Sequence, residues 1–228
     1  METPATDPPT AACGTRRKSA CGGLASSCRA LVASLAQNVY INAVARGGTE
    51  ALAAHNIGST VESLVIQPSF AVSMAALVEA GRSVGAENSR EASTVVRGSA
   101  RAGAIWMTFA ALVLAALSPT LGRLFATDER VVELTKIYLL LAAASEPGLG
   151  VSAAFFGAIR GMGSVWLPLA ISSFTVVFLR ALPAQLLSMN YGATGAWATQ
   201  VTDMYGRAIL ALLAWRLLGA RKLSKKLV

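Results

Sequence analysis

The side chains from which active sites are usually built are scarce in this 228-residue chain. It has a single histidine, His55, which removes most catalytic triads and zinc sites from consideration, and it carries neither a phosphate-binding loop nor a dinucleotide fingerprint. An enzyme is therefore not expected, and neither is a cofactor. The three cysteines, Cys13, Cys21 and Cys28, fall near the N-terminus without C-x-x-C spacing, so free thiols are expected rather than disulfides or a metal site. Charge is also short, 14% of residues against roughly 25% in an ordinary soluble domain. Apolar residues take its place at 54%, with a mean hydropathy of +0.54, which is the composition of a membrane protein. A net charge of +8 and a pI near 9.9 could suit a nucleic-acid binder, but such a protein clusters its basic residues on one face with interleaved aromatics. Here they stand between apolar runs, so the expected partner is a lipid bilayer and not nucleic acid.

Residues 1–29 are rich in Pro, Thr, Ala, Gly and Ser around Arg16, Arg17 and Lys18, and this composition predicts a disordered tail without a cleavable targeting peptide. Residues 30–223 read as a membrane lobe, and 224–228 as a basic C-terminal end. Segment 30–45 is apolar but short and interrupted by Gln37, Asn38 and Asn42, so it fits part of a helix better than an isolated span. Segment 51–78 contains only His55 and Glu62 as ionisable groups, and about 20 apolar residues suffice to cross a hydrocarbon core of roughly 30 Å. Segment 79–101 alternates charged and small residues and reads as a surface-lying link. Segment 102–122 has no charge and is the clearest span, 137–159 is another, and 161–202 is broken only at 189–194. The last span covers about 195–217. Asp128, with Thr127 before it, is placed to cap the helix that starts at Glu129.

Counting six spans puts Arg16, Arg17, Lys18, Arg29, Arg82, Arg90, Arg97, Arg101, Arg160 and the C-terminal Arg216, Arg221, Lys222, Lys225 and Lys226 on one side. Only Arg46, Arg123, Arg130 and Lys136 face the other. This asymmetry predicts both termini in the cytoplasm of a plasma (inner) membrane.

The order of several short patterns carries a family resemblance. Ala51-Leu52-Ala53-Ala54-His55-Asn56-Ile57 is followed by Pro68, Ala75-Ala76-Leu77-Val78, Gly81 and Val84-Gly85-Ala86-Glu87-Asn88. Then come Arg123-Leu124-Phe125-Ala126-Thr127-Asp128 with Val131, Gly157-Ala158-Ile159-Arg160-Gly161-Met162-Gly163, and Gly195-Ala196-Trp197. In this order they resemble the second half of multidrug and toxic compound extrusion (MATE) transporters, over roughly 31–223. Where that family commonly has Val-Gly-Gln, this chain has Glu79-Ala80-Gly81-Arg82. The resemblance implies an all-α polytopic bundle of six transmembrane helices, similar to one lobe of a two-lobed transporter whose first half is not visible here.

Ionisable residues inside spans cost about 2.5 to 3.5 kcal/mol each on insertion scales and so point to function. Glu62 leads as an ion- or substrate-coupling candidate because no basic residue stands at i±3 or i±4; the alternative is a carboxylate satisfied by neighbours such as Ser59 and Ser63. Glu146 follows, directly before Pro147, where a kink frees carbonyls that can complete a cation site. Asp203 is the third, although Arg207 at i+4 has the spacing of an intrahelical salt bridge. Pro68, Pro147 and Pro183 are expected kinks. Arg180 is expected to snorkel or to pair with another helix. His55 reads as a helix-start residue, and Trp106, Trp166, Trp197 and Trp215 as interfacial anchors.

The resemblance implies cation-coupled antiport, with H+ or Na+ as the coupling ion and a small lipophilic or cationic substrate. The competing expectations are a lipid-linked oligosaccharide flippase of the same superfamily, for which a basic cavity is expected, and a truncated non-transporting remnant. Because the halves of such transporters face each other across a cleft, a homodimer or a complex with a separate N-terminal half is expected.

Overall fold

The computed structural model describes residues 31, 34–86 and 89–224, and among them every regular element is helical. The expected tail with its three cysteines, and residues 225–228, lie outside the described residues. Helix α1 covers 34–45. It is followed by α2 (Thr49–Gly85), α3 (Ser89–Phe125), α4 (Glu129–Gly161) and α5 (Trp166–Thr175). A π-helical turn (Val176–Ala181) then leads into α6 (Leu182–Ser224).

Among the described residues four stretches are long and apolar enough to cross a membrane: Thr49–Ser83, Ser93–Phe125, Glu129–Gly161 and Trp166–Leu217. The last has 52 residues, which as one straight rod would reach about 78 Å at 1.5 Å per residue. It does not run straight. Gly192, at φ 59° and ψ −146°, turns the chain inside α6, within the 189–194 break indicated by composition. That backbone region is open almost only to glycine. The described part of α1, 34–45, is shorter than a full span.

Segment 79–101 departs from its expected role. Its described residues extend two long helices and form no separate element: α2 continues to Gly85 and α3 begins at Ser89. The reason is an apolar partner for its amphipathic face. Ala76 and Ala80 of α2, and Val96 and Ala100 of α3, are buried in one cluster with Ala158 and Ile159 of α4 and Ala211 of α6. Glu79 and Arg82 meet each other at 3.8 Å on the exposed side.

Helices α2, α3 and α4 alternate in direction, which gives the bundle two ends. At one, here called the Asp128 end, the Asp128 carboxylate accepts a hydrogen bond from the Arg130 backbone N at 2.9 Å, the expected cap. Arg130 in turn pairs with Glu50 at 2.8 Å and fastens the start of α4 to the start of α2. The turns after α2 and α4 form the other, the Gly161 end. Helix α4 is the hub and touches α2, α3, α5 and α6. Over half (56%) of its most apolar window is buried, against 22–28% for the other three long stretches. Small residues allow this. A Cβ on Gly150 would stand 2.6 Å from the Gly103 carbonyl oxygen, so α3 and α4 meet backbone to backbone.

Large apolar side chains such as Leu64, Phe70, Ile105, Leu112 and Leu186 cover the outside. Trp106 and Trp166 are exposed there, as anchors would be. Trp197 and Trp215 correct the expectation, since they are buried. Trp197 meets Tyr138 edge-on with ring centroids 5.5 Å apart, and Trp215 packs on Phe155 at 6.4 Å.

Candidate functional site

Glu62 is buried one third of the way along α2, on the stripe that also carries His55, Gly58 and Ser69. Spacings of three, four and seven residues place these on one helix face. Gly58 decides what reaches that face: any Cβ there would overlap the Tyr138 ring, so its hydrogen lets α4 bring that ring against α2. The Tyr138 hydroxyl then donates to Glu62 Oε2 at 2.5 Å, and Gln200 Nε2 of α6 donates to Oε1 at 2.5 Å. Gln200 Oε1 accepts from Arg180 Nη2 at 3.4 Å, and the Arg180 guanidinium lies over the Tyr40 ring at 4.4 Å. The ring of His55 stands edge-on between Tyr40 (5.8 Å) and Tyr138 (5.2 Å). Five elements, α1, α2, α4, the π turn and α6, therefore meet around one carboxylate.

These contacts settle several sequence readings. Ser59 and Ser63 donate to their own helix carbonyls, Asn56 O and Thr60 O, and not to Glu62. His55 is 4% exposed and packed between two aromatics, because it begins the buried stripe and not merely the helix. Arg180 pairs across helices, one of the two expected outcomes.

Glu146 is a contrasting acid. It is 1% exposed, and neither carboxylate oxygen has a hydrogen-bond partner among the described residues. Pro147, next to it, cannot donate to the carbonyl of Ala143, although α4 continues through this position. Close by, Tyr205 donates its hydroxyl to Ala144 O at 3.1 Å, and Gly148 lets the α6 backbone approach at Met204. Asp203 is fully buried and takes Arg207 Nη2 on both oxygens, at 3.0 and 2.8 Å, the salt bridge its spacing predicted. Pro183 lies two residues past the end of the π turn, and Leu179 O within that turn accepts from Thr202 Oγ1 at 3.2 Å. Pro68 lies inside α2, which continues through it.

The three candidate acids thus sit on three helices, α2, α4 and α6. Gln200, one turn before Asp203, links Glu62 to α6. Among the described residues no group of three or more His, Cys, Asp or Glu side chains could hold a metal ion together. Sequence reasoning missed Tyr138 and Gln200 as partners of Glu62. The available signals were a polar amide inside an apolar run and a glycine one turn before the acid.

Comparison with known proteins gives a consistent result. The family model MatE matches residues 26–185. The chain is similar to a probable multidrug resistance protein NorM of Thermotoga maritima, 28% identical over 178 residues, covering 77% of this chain and 38% of that protein. It is similar to another probable NorM, of Oceanobacillus iheyensis, 30% identical over 179 residues and covering 77% and 39%. Among solved structures, an inward-facing multidrug resistance MATE family transporter of the MOP superfamily superposes with a TM-score of 0.81 at 18% identity, over 87% of this chain and 47% of that one. The chain spans about two fifths of the length of the curated relatives it matches.

Proposed function

The chain belongs to the MATE family of membrane transporters, and from that premise we propose that it forms one lobe of a cation-coupled efflux antiporter for small lipophilic or cationic compounds. The observation that carries this reading is Glu146, a carboxylate buried in a span with no hydrogen bond to either oxygen. A charge in that setting is costly unless a proton or a metal cation accompanies it. Occupancy by H+ or Na+ therefore separates two states of the bundle by the difference in how well each accommodates the loaded acid. Carbonyls freed at Pro147 favour the same place for an ion. Glu62 suits a different role, since Tyr138 and Gln200 already satisfy it and Arg180 lies near; it positions α2, α4 and α6 around the site. Asp203 is neutralised by Arg207 and takes part through that pair.

In this reading the lobe has six membrane segments, counting α1 and dividing the last stretch at Gly192, with both termini cytoplasmic. The facing lobe comes from a second copy or from an N-terminal half. Dye efflux in a pump-deficient host tests the proposal, with this chain alone and with a matched N-terminal half. Export is expected in at least one arrangement, and Glu146→Gln abolishes it. Export by Glu146→Gln with unchanged dependence on proton and sodium gradients would remove Glu146 from coupling. Absence of export in both arrangements favours the remnant. Crosslinking in native membranes then distinguishes the homodimer from the two-chain complex.

A further inference from the structure

Toward the Gly161 end, a cleft of about 620 Å³ opens between α2, α4, α5 and α6. This lies within the roughly 300–1,000 Å³ usual for small-molecule sites. Its chemistry is the reverse of the carboxylate region. Among the described residues the charged side chains that line it are Arg160 of α4 and Arg207 of α6, with no acidic one, and hydroxyls such as Ser73 and Ser172 stand beside apolar walls that include Phe70 and Phe156. Both guanidiniums are held in place. Arg160 donates from Nη2 to Ser73 Oγ at 2.7 Å and from Nε to Phe156 O at 3.2 Å. Arg207 is fixed by Asp203 through Nη2, while its Nε–H is buried without a hydrogen-bond partner.

The cleft thus presents two fixed guanidiniums beside an apolar surface. An arginine fork matches the oxygens of a phosphate or carboxylate, and a cation placed here would meet two guanidiniums. We propose that this cleft binds an amphiphilic phosphate, with the phosphate at Arg160 and Arg207 and the apolar part along Phe70 and Phe156. The site is separate from Glu62 and Glu146, and its occupancy does not depend on coupled transport.

Native mass spectrometry of the purified full chain in an uncharged detergent tests it, titrating short-chain phosphatidic acid, inorganic phosphate, or a quaternary ammonium amphiphile with the same tails. Phosphatidic acid is expected to saturate as a single retained copy, and the ammonium amphiphile is not retained. Arg160→Gln and Ala153→Phe, which fills the cleft, should each weaken retention by about tenfold or more, as loss of a charge-assisted fork does. Arg97→Gln, on the exposed face of α3, should leave it unchanged. Inorganic phosphate binding as tightly as the tailed ligand supports the site and assigns a soluble phosphate ester, whereas retention of the tailed ligand alone supports it and assigns a membrane lipid. If Arg160→Gln does not fold, Ala153→Phe decides, since it keeps both arginines. Equal retention of the ammonium amphiphile, equal loss with Arg97→Gln, or unchanged retention by Ala153→Phe overturns the proposal.

Discussion

The two ends of this bundle share a central helix and are packed by different means. At the Asp128 end, α4 contributes Tyr138, and the core is filled by large side chains, Tyr40, Tyr138 and Trp197, whose rings interlock edge to face around His55. At the Gly161 end the same helix contributes one aromatic contact, Phe155 with Trp215, and otherwise Ala154, Gly157, Ala158 and Gly161, so α2 comes down onto the α4 backbone at Ser73 and Leu77. Aromatics fill volume and leave their polar tips to be satisfied: Tyr138 gives its hydroxyl to Glu62, while the Tyr40 hydroxyl and the Trp197 indole N–H have no hydrogen-bond partner among the described residues. Small residues bring backbones together and leave volume unfilled beside the contact, which is where the cleft lies. Glu62 and the Arg180 guanidinium sit within the aromatic packing, Arg160 and Arg207 line the cleft, and the Asp203–Arg207 pair joins the two regions.

That joint should give the largest effect. Arg207→Leu leaves Asp203 fully buried without a counter-charge, and breaking a buried pair in this way costs about 3–5 kcal/mol. Unfolding in detergent, followed by circular dichroism against SDS fraction, should show a loss of that size. A loss below about 1 kcal/mol, the range of an exposed pair, would mean that the two regions are not coupled through this bridge.

The difference between the ends also governs what could be read from the sequence. The helices at both ends were legible, because long runs without charge and the Asp128 cap depend on local composition. The Asp203–Arg207 bridge was legible for the same reason, being fixed by an i,i+4 spacing within one helix. The partners of Glu62 were not. Tyr138 and Gln200 stand 76 and 138 residues away, and nothing in local spacing selects them over Ser59 or Ser63. Trp197 and Trp215 misled because an indole suits a bilayer interface and an aromatic core equally well, and only the neighbouring rings choose between them. The continuation of α2 to Gly85 and the start of α3 at Ser89 likewise depended on α4 and α6 presenting alanines to receive them.

Two substitutions of intermediate size separate the packing modes. Tyr138→Phe keeps the ring stack and removes one of the two donors to Glu62, so about 1.5–3 kcal/mol is expected for a hydrogen bond to a charged group. Gln200→Leu in the same background tests whether the two donors act together. A double-mutant cycle with no coupling would contradict a shared carboxylate. At the other end, Gly157→Ala puts a Cβ onto the Ser73 carbonyl, where backbone has to yield. Overpacking of this kind costs about 1–3 kcal/mol. Since α2 must move away from α4, a cysteine pair placed across α2 and α4 at non-glycine positions should crosslink more slowly in the alanine variant. Unchanged crosslinking together with unchanged stability would show that the close approach is absent.

The smallest expected effect has the opposite sign. Gly98 lies on the exposed side of α3 at the Gly161 end, and a Cβ added there meets nothing within 4 Å. Its helix therefore carries the entropic cost of glycine without the close contact that justifies glycine at 157. Gly98→Ala should stabilise by about 0.5–1 kcal/mol, the difference in helix propensity between the two residues. Measured beside Gly157→Ala, the same one-methyl change separates a glycine required by packing from one that is not. A destabilising Gly98→Ala in native membranes, with stabilisation of the purified single chain, would locate a packed neighbour on this face of α3. The facing lobe of the transporter is the neighbour to test first, by crosslinking from Arg97 and Arg101.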